Sequence, residues 1–157
     1  MDNQGTNDYF FQTPVTKRLI ELIEHHADDL TKSWMREVKK DPGTPTYANY
    51  RDENELYRRA FKVFNQVGKW ISKDASKDEI RKYWTDLGRQ RRKEGFPLSE
   101  IVQSLFLIRR HLWQKVESEG LLDTAYDLYQ AMELNNQVSL FFDRAVYHAA
   151  CGYESED

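Results

Sequence analysis

Few residues in this chain stand where chemistry would need them, and the ones that do are cations and carboxylates lodged among apolar neighbours. Arg109 falls inside the apolar stripe of Gly95 to Gly120, GFPLSEIVQSLFLIRRHLWQKVESEG, and Asn136 and Asp143 fall along the stripe of the segment that follows. A polar or charged group taken out of water is costly unless it is paired and hydrogen-bonded. Folding the two segments back at Gly120 sets Arg109 level with Met132, within reach of Glu133 or Asn136. Asp143 then lies roughly 18 Å further along, at 1.5 Å per residue. It is expected not beside Arg109 but at the corner from Gly95 to Ser99, near Arg91, Arg92 and the free amides that open a helix. Two readings of this seam stand: a clasp that fixes helix register, and a ligand-binding or signalling seam.

The four histidines offer less. His26 sits on an apolar helical face, His25 and His111 on polar faces, and His148 near the end of the last helix. No pair has the i, i+4 spacing with an adjacent acid that a HExxH zinc site needs. A pocket lined by His26 or Arg109 is what a haem or small-ligand sensor would require; a histidine packed in a core is the alternative. No phosphate-cradling glycine loop, serine or cysteine elbow, or distinct carboxylate pair stands out. Catalysis needs an activated group beside a partner, so the expectation is a protein that is not an enzyme and holds no cofactor or metal.

Charge is unevenly spread over the 157 residues, whose net is −3. Arg81 to Lys93 carries six basic residues against one acid, and Glu117 to Asp157 carries nine acids against one base, Arg144. The basic run reads as a helix C-terminus favouring cations. RQRRK, Arg89 to Lys93, also invites a nucleic-acid reading, but no aromatics interleave it and the chain is acidic overall, so no nucleic-acid partner is expected. The single Cys151 excludes an internal disulfide and fits a reducing compartment. No apolar run approaches the roughly 18 residues of a membrane helix, and Met1 to Phe11 has no signal-peptide core. Neither a membrane partner nor export is expected, and the location read from this is the cytoplasm.

The elements that must position these residues are all helical. Residues 1–12 read as a flexible tail, 13–153 as one helical domain and 154–157 as an acidic tail. Thr13-Pro14 opens a first helix running to about Lys40, with Leu19, Leu22, Ile23, His26, Leu30 and Trp34 on one face. Asp41 to Arg51, DPGTPTYANYR, reads as a loop. Asp52 caps a helix to about Lys73. Ser76 with Glu79 forms a capping box for the next, which stops at Gly95. Leu98, Ile101, Val102, Leu105, Ile108, Leu112, Trp113 and Val116 give the helix before Gly120 its stripe. Asp123 caps a last helix to about Cys151, with Gly152 as its stop and Leu128, Tyr129, Met132, Leu140, Val146 and Tyr147 on its inner face. Short turns between helices imply antiparallel neighbours. The fold class is therefore all-α: a single-domain antiparallel bundle of five or six helices, loosely globin-like. Phe61, Leu107, Val138 and Phe141 fall off the main stripes and are candidates for a partner surface, the alternatives being lone surface residues or a wider core face.

Several short motifs carry a family resemblance. Leu87-Gly88, Arg92, Gly95-Phe96-Pro97-Leu98, Glu100-Ile101-Val102, Leu105 and Ile108-Arg109-Arg110 resemble the N-terminal domain family of the RsbT co-antagonist protein RsbRD. Trp34, Leu134-Asn135 and Phe142-Asp143-Arg144-Ala145 are similar to its other recurrent positions, and the resemblance runs from about Val15 to Tyr153. It implies an all-helical signal-input and dimerisation module of bacterial regulators, including stressosome proteins with a following STAS domain and sensor histidine kinases. It implies a homodimer, a protein partner carrying a STAS or kinase output module, and no catalytic residues. It also implies kinship with non-haem globin-like sensors. With the chain ending at Asp157, the expectation is either a piece of a longer regulator or an input domain that acts through a separate partner.

Overall fold

The structure, a computed structural model, describes residues 14–71, 76–120 and 122–155. The expected tail at 1–12, the Thr13 cap, the helix end at Lys73 and the acidic residues 156–157 lie outside the described residues. Within them the chain is all-α and contains no strand. Seven helices follow in order: α1 Pro14–His25, α2 Ala27–Lys40, α3 Pro45–Ala48, α4 Glu53–Ile71, α5 Lys77–Lys93, α6 Leu98–Glu119 and α7 Ala125–Glu154.

The count exceeds the expected five or six for two local reasons. The first long helix bends at His26, whose backbone leaves helical geometry at φ −97°, ψ 18°. The hydrogen bonds from His26 N to the Leu22 carbonyl and from Leu30 N to the His26 carbonyl persist, so the chain bends without opening into a loop. The Pro-rich connection after Lys40 also winds into one turn, α3, started by Pro45.

Most helix starts follow local chemistry. Asp52 Oδ1 accepts from Glu55 N at 3.0 Å, and Ser76 with Glu79 makes the reciprocal box. The last helix is capped by Thr124, not Asp123. Thr124 Oγ1 accepts from Asp127 N at 3.0 Å, and Asp127 Oδ2 accepts from Thr124 N at 3.2 Å. Gly95 closes α5 at φ +88°, where a side chain would be strained.

Gly152 does not stop α7, which continues to Glu154. Its role is contact. A Cβ on Gly152 would lie 2.0 Å from the Thr85 carbonyl oxygen, and one on Gly88 1.9 Å from the Ala149 carbonyl oxygen. The two glycines let the backbones of α5 and α7 touch, and this is the most extensive helix pairing in the molecule. Around it the core gathers Trp84, Phe64, Phe96, Phe142, Leu107, Leu112 and Leu134.

That pairing reverses the expected orientation of α7. The buried face is Ala131, Leu134, Val138, Phe141, Phe142, Ala145, Ala149 and Gly152. Leu128, Tyr129, Met132, Leu140 and Tyr147, expected inside, face outward, with Met132 64% and Tyr147 65% exposed. Val138, Phe141 and Leu107, expected on a partner surface, are core. Phe61 is half-buried and stacks on Tyr57 with ring centroids 5.7 Å apart. The helix is apolar around most of its girth, so size misled the assignment: the small residues are inside because a neighbouring backbone must reach them.

Candidate functional site

The polar side chains form two groups. The first is a clasp around Glu94 at the end of α5. Arg59, one turn after Glu55 on α4, donates from both terminal nitrogens to the Glu94 oxygens at 3.0 and 2.9 Å, a bidentate pair. Its Nε donates to Glu55 at 3.0 Å. Tyr50 Oη donates to Glu94 at 3.3 Å, and Arg91 Nη1 lies 3.4 Å from Glu94. Burial alone would raise the Glu94 pKa, but the Arg59 hydrogen bonds and the Arg91 and Arg59 charges outweigh it and hold the carboxyl below its ordinary value. Arg91 is buried, and burial, with Arg59 nearby, lowers its pKa from the ordinary guanidinium value.

Beside this clasp, Glu100 is buried at the start of α6. It accepts from the Thr46 backbone N–H and hydroxyl, both at 2.6 Å, tying α3 to α6. Trp34 Nε1 donates to the Ser104 carbonyl at 3.0 Å and ties α2 to the same helix. Each of these groups has partners within the fold.

The expected lock of this corner by Asp143 is not there. Arg92, exposed, donates to the Tyr153 carbonyl at 2.7 Å, and Tyr153 Oη donates to the Phe96 carbonyl at 2.8 Å. The C-terminal end of α7 holds the corner, because α7 is longer than expected and reaches it.

The second group is the seam itself. Asp143 is 69% exposed, and its Oδ1 lies 4.0 Å from Arg109 Nη1, against the expectation that they stand apart. The fold-back estimate assumed two helices aligned from a tight turn. Residues 120 and 122–124 of the connection are not helical, and α7 packs chiefly on α5, so its register against α6 is different. Arg109 also lies over the Phe106 ring, 5.4 Å from its centroid. Asn136 is exposed. The seam is therefore a surface feature: a loose ion pair beside Phe106, with Asp143 on the helix that also turns Tyr126, Tyr129, Met132, Leu140 and Tyr147 outward.

His26 and Arg109 are not brought together. The His26 imidazole lies between Asp29 at 3.5 Å and Glu119 at 3.3 Å. Glu119 is ten residues beyond Arg109 on α6, about 15 Å along the axis. Among the described residues, no group of three or more His, Cys, Asp or Glu could hold a metal ion. His111, expected on a polar face, is half-buried with Nε2 enclosed, and burial lowers its pKa. Trp84 Nε1 is likewise enclosed, and among the described residues neither atom has a hydrogen-bond partner.

Sequence reasoning missed Arg59, Glu94 and Tyr50. The Glu55–Arg59 i, i+4 spacing was readable; the bond from Arg59 to Glu94 crosses between helices and had no local sign. It also missed the outward α7 residues, whose only sign was an apolar pattern wider than one stripe.

The described residues thus form an all-helical domain held by internal ion-pair clasps, with Tyr126, Leu128, Tyr129, Met132, Leu140 and Tyr147 exposed along its last helix. A family model matches residues 28–157, that of the RsbT co-antagonist protein rsbRD N-terminal domain. The chain belongs to this family, which is one of regulatory signal-input domains and not a known enzyme family. No curated protein and no solved structure matches it. Among the described residues no helix is long and apolar enough to cross a membrane.

Proposed function

We propose that this chain is a non-enzymatic input domain that acts as a homodimer, pairing through the outward face of α7 and passing a change in that pairing to a STAS or kinase output module. The observation that carries the reading is the exposure of Tyr126, Leu128, Tyr129, Met132, Leu140 and Tyr147 on one helix, with Phe106 beside them on α6. From Tyr126 to Tyr147 these residues span roughly 32 Å at 1.5 Å per residue. Aromatics and Met are the residue types enriched in contact surfaces, and a patch of this length is unusual on a protein that works alone.

A second copy fits the face. Arg109 and Asp143 bring opposite charges to it and hold each other only at 4.0 Å. A two-fold axis would let each arginine meet the other copy's aspartate at no electrostatic cost. Asn136, central in the strip, supports register selection, as a polar residue does in a helix pair. A signal that favours one packing of α7 over another would shift the population seen by the output module.

Sedimentation equilibrium on the wild-type chain at micromolar concentration tests this. A dimer is the expected result; a monomer across the range would remove the reading.

A further inference from the structure

Between the end of α4, the start of α5 and one flank of α7 lies a cavity of about 290 Å³. Its floor is aromatic. Trp70 stacks on Phe141, with ring centroids 5.6 Å apart and planes 20° from parallel. Its lining also carries the cations Lys77, Arg81 and Arg144. Among the described residues the one acid that lines it, Asp78, pairs with Arg81 at 3.1 Å. Among the described residues Lys77 and Arg144 have no acidic partner. Arg144 is also the single base between Glu117 and Asp157, in a region of nine acids. The one base of an acidic stretch thus lines a cavity that also holds aromatic side chains.

We infer that this cavity binds a compact aromatic carboxylate. Two chemical demands meet there. The Trp70–Phe141 surface suits a flat apolar body that can stack on it. The guanidinium of Arg144, without an acidic partner among the described residues, suits a planar anion that it can bond through two N–H groups, with Lys77 adding a second positive charge to the lining. The volume lies at the lower end for small-molecule sites, which start at about 300 Å³, so the ligand is small. A neutral aromatic would leave both cations unused, and a bare inorganic anion would leave the aromatic floor unused.

The inference deepens the reading of an input domain by naming the class of its signal, and only the consequence for pairing rests on that reading. Leu140 lines the cavity and also belongs to the outward strip of α7. An occupant therefore touches the helix proposed to pair. Binding itself does not depend on the dimer.

The test titrates the full chain with 2-naphthoate, followed by calorimetry and by tryptophan fluorescence. 2-Naphthylmethanol and inorganic phosphate serve as the neutral and the purely anionic comparisons. Saturable naphthoate binding with Kd below about 1 mM is expected, with both comparison molecules at least about tenfold weaker. Arg144→Gln should weaken naphthoate about tenfold at unchanged circular dichroism, and Arg144→Lys, which keeps the charge but loses the paired N–H groups, should fall between that variant and the wild type. Absence of saturation, equal binding of the alcohol or of phosphate, or indifference to Arg144→Gln would each overturn the inference. Binding by a chain that sediments as a monomer would leave this inference standing and remove the dimer; a dimer that ignores naphthoate would do the reverse.

Discussion

The two faces of α7 are built on opposite rules. The inner face carries Leu134, Phe141 and Phe142 into the core but is small where it crosses α5, at Ala149 and Gly152, and two glycines bring the backbones there into contact. The outer face is large, with Tyr126, Tyr129, Met132, Leu140 and Tyr147 held in water. A helix that only needed to complete a core would place its bulk inside. The difference separates two tasks: the inner face locks the helix to its own domain, and the outer face is left for something else. The polar groups repeat the contrast. The Glu94 clasp is half-buried and bidentate, whereas Arg109 and Asp143 meet loosely at the surface.

If that contrast is right, changes to the inner side should unfold the domain, and changes to the outer side should spare it. The largest effect belongs to Gly88→Val. Its side chain would have to displace the α7 backbone at Ala149, at a cost of about 3 kcal/mol or more, read as a fall in Tm of roughly 10 °C. Next is Glu94→Gln, which leaves Arg59 and Arg91 without their shared carboxylate and should cost about 2 kcal/mol in urea unfolding. Because the folded-state pKa of Glu94 lies below its ordinary 4.5, its contribution is fully present above that value and lost as pH falls through the folded pKa. The variant should therefore lose less stability than the wild type below about pH 4.5.

His111 gives a smaller effect with its own window. Its folded pKa lies below the ordinary 6.5, so the neutral imidazole is the form that suits the fold. Stability is present above 6.5 and falls as pH drops below it. His111→Gln should flatten the fall in Tm between about pH 6.5 and pH 5, by roughly 1 kcal/mol at most. The smallest effect belongs to the outer side: Asp143→Asn should change stability by less than about 0.5 kcal/mol, since an exposed pair at such separation contributes little.

Much of this architecture was readable before any coordinates. The capping box at Ser76 and Glu79, the cap at Asp52, the turn at Gly95 and the buried stripe Ile101, Leu105, Ile108, Leu112 and Val116 rest on spacing alone, and local rules suffice for them. The orientation of α7 was not readable, because both of its faces are apolar and what decides between them is Gly88, on another helix. Gly152 read as a stop, when its lack of a side chain serves a contact. The candidate site fared likewise: Arg91 was named as a cation near the Gly95 corner, but its burial and its partners Glu94 and Arg59 come from helix pairing that one sequence does not encode locally. Asp143 and Arg109 were placed apart by a register estimate that assumed a simple fold-back.

The most direct test of the account is the mass in solution of Tyr129→Glu/Met132→Glu, measured by light scattering beside the wild type and beside Lys32→Glu, a change on an exposed position of α2. The account predicts a dimer for the wild type and for Lys32→Glu, and a folded monomer with unchanged circular dichroism for the double variant. A double variant that remains a dimer would contradict the assignment of the outer face of α7 as the contact surface.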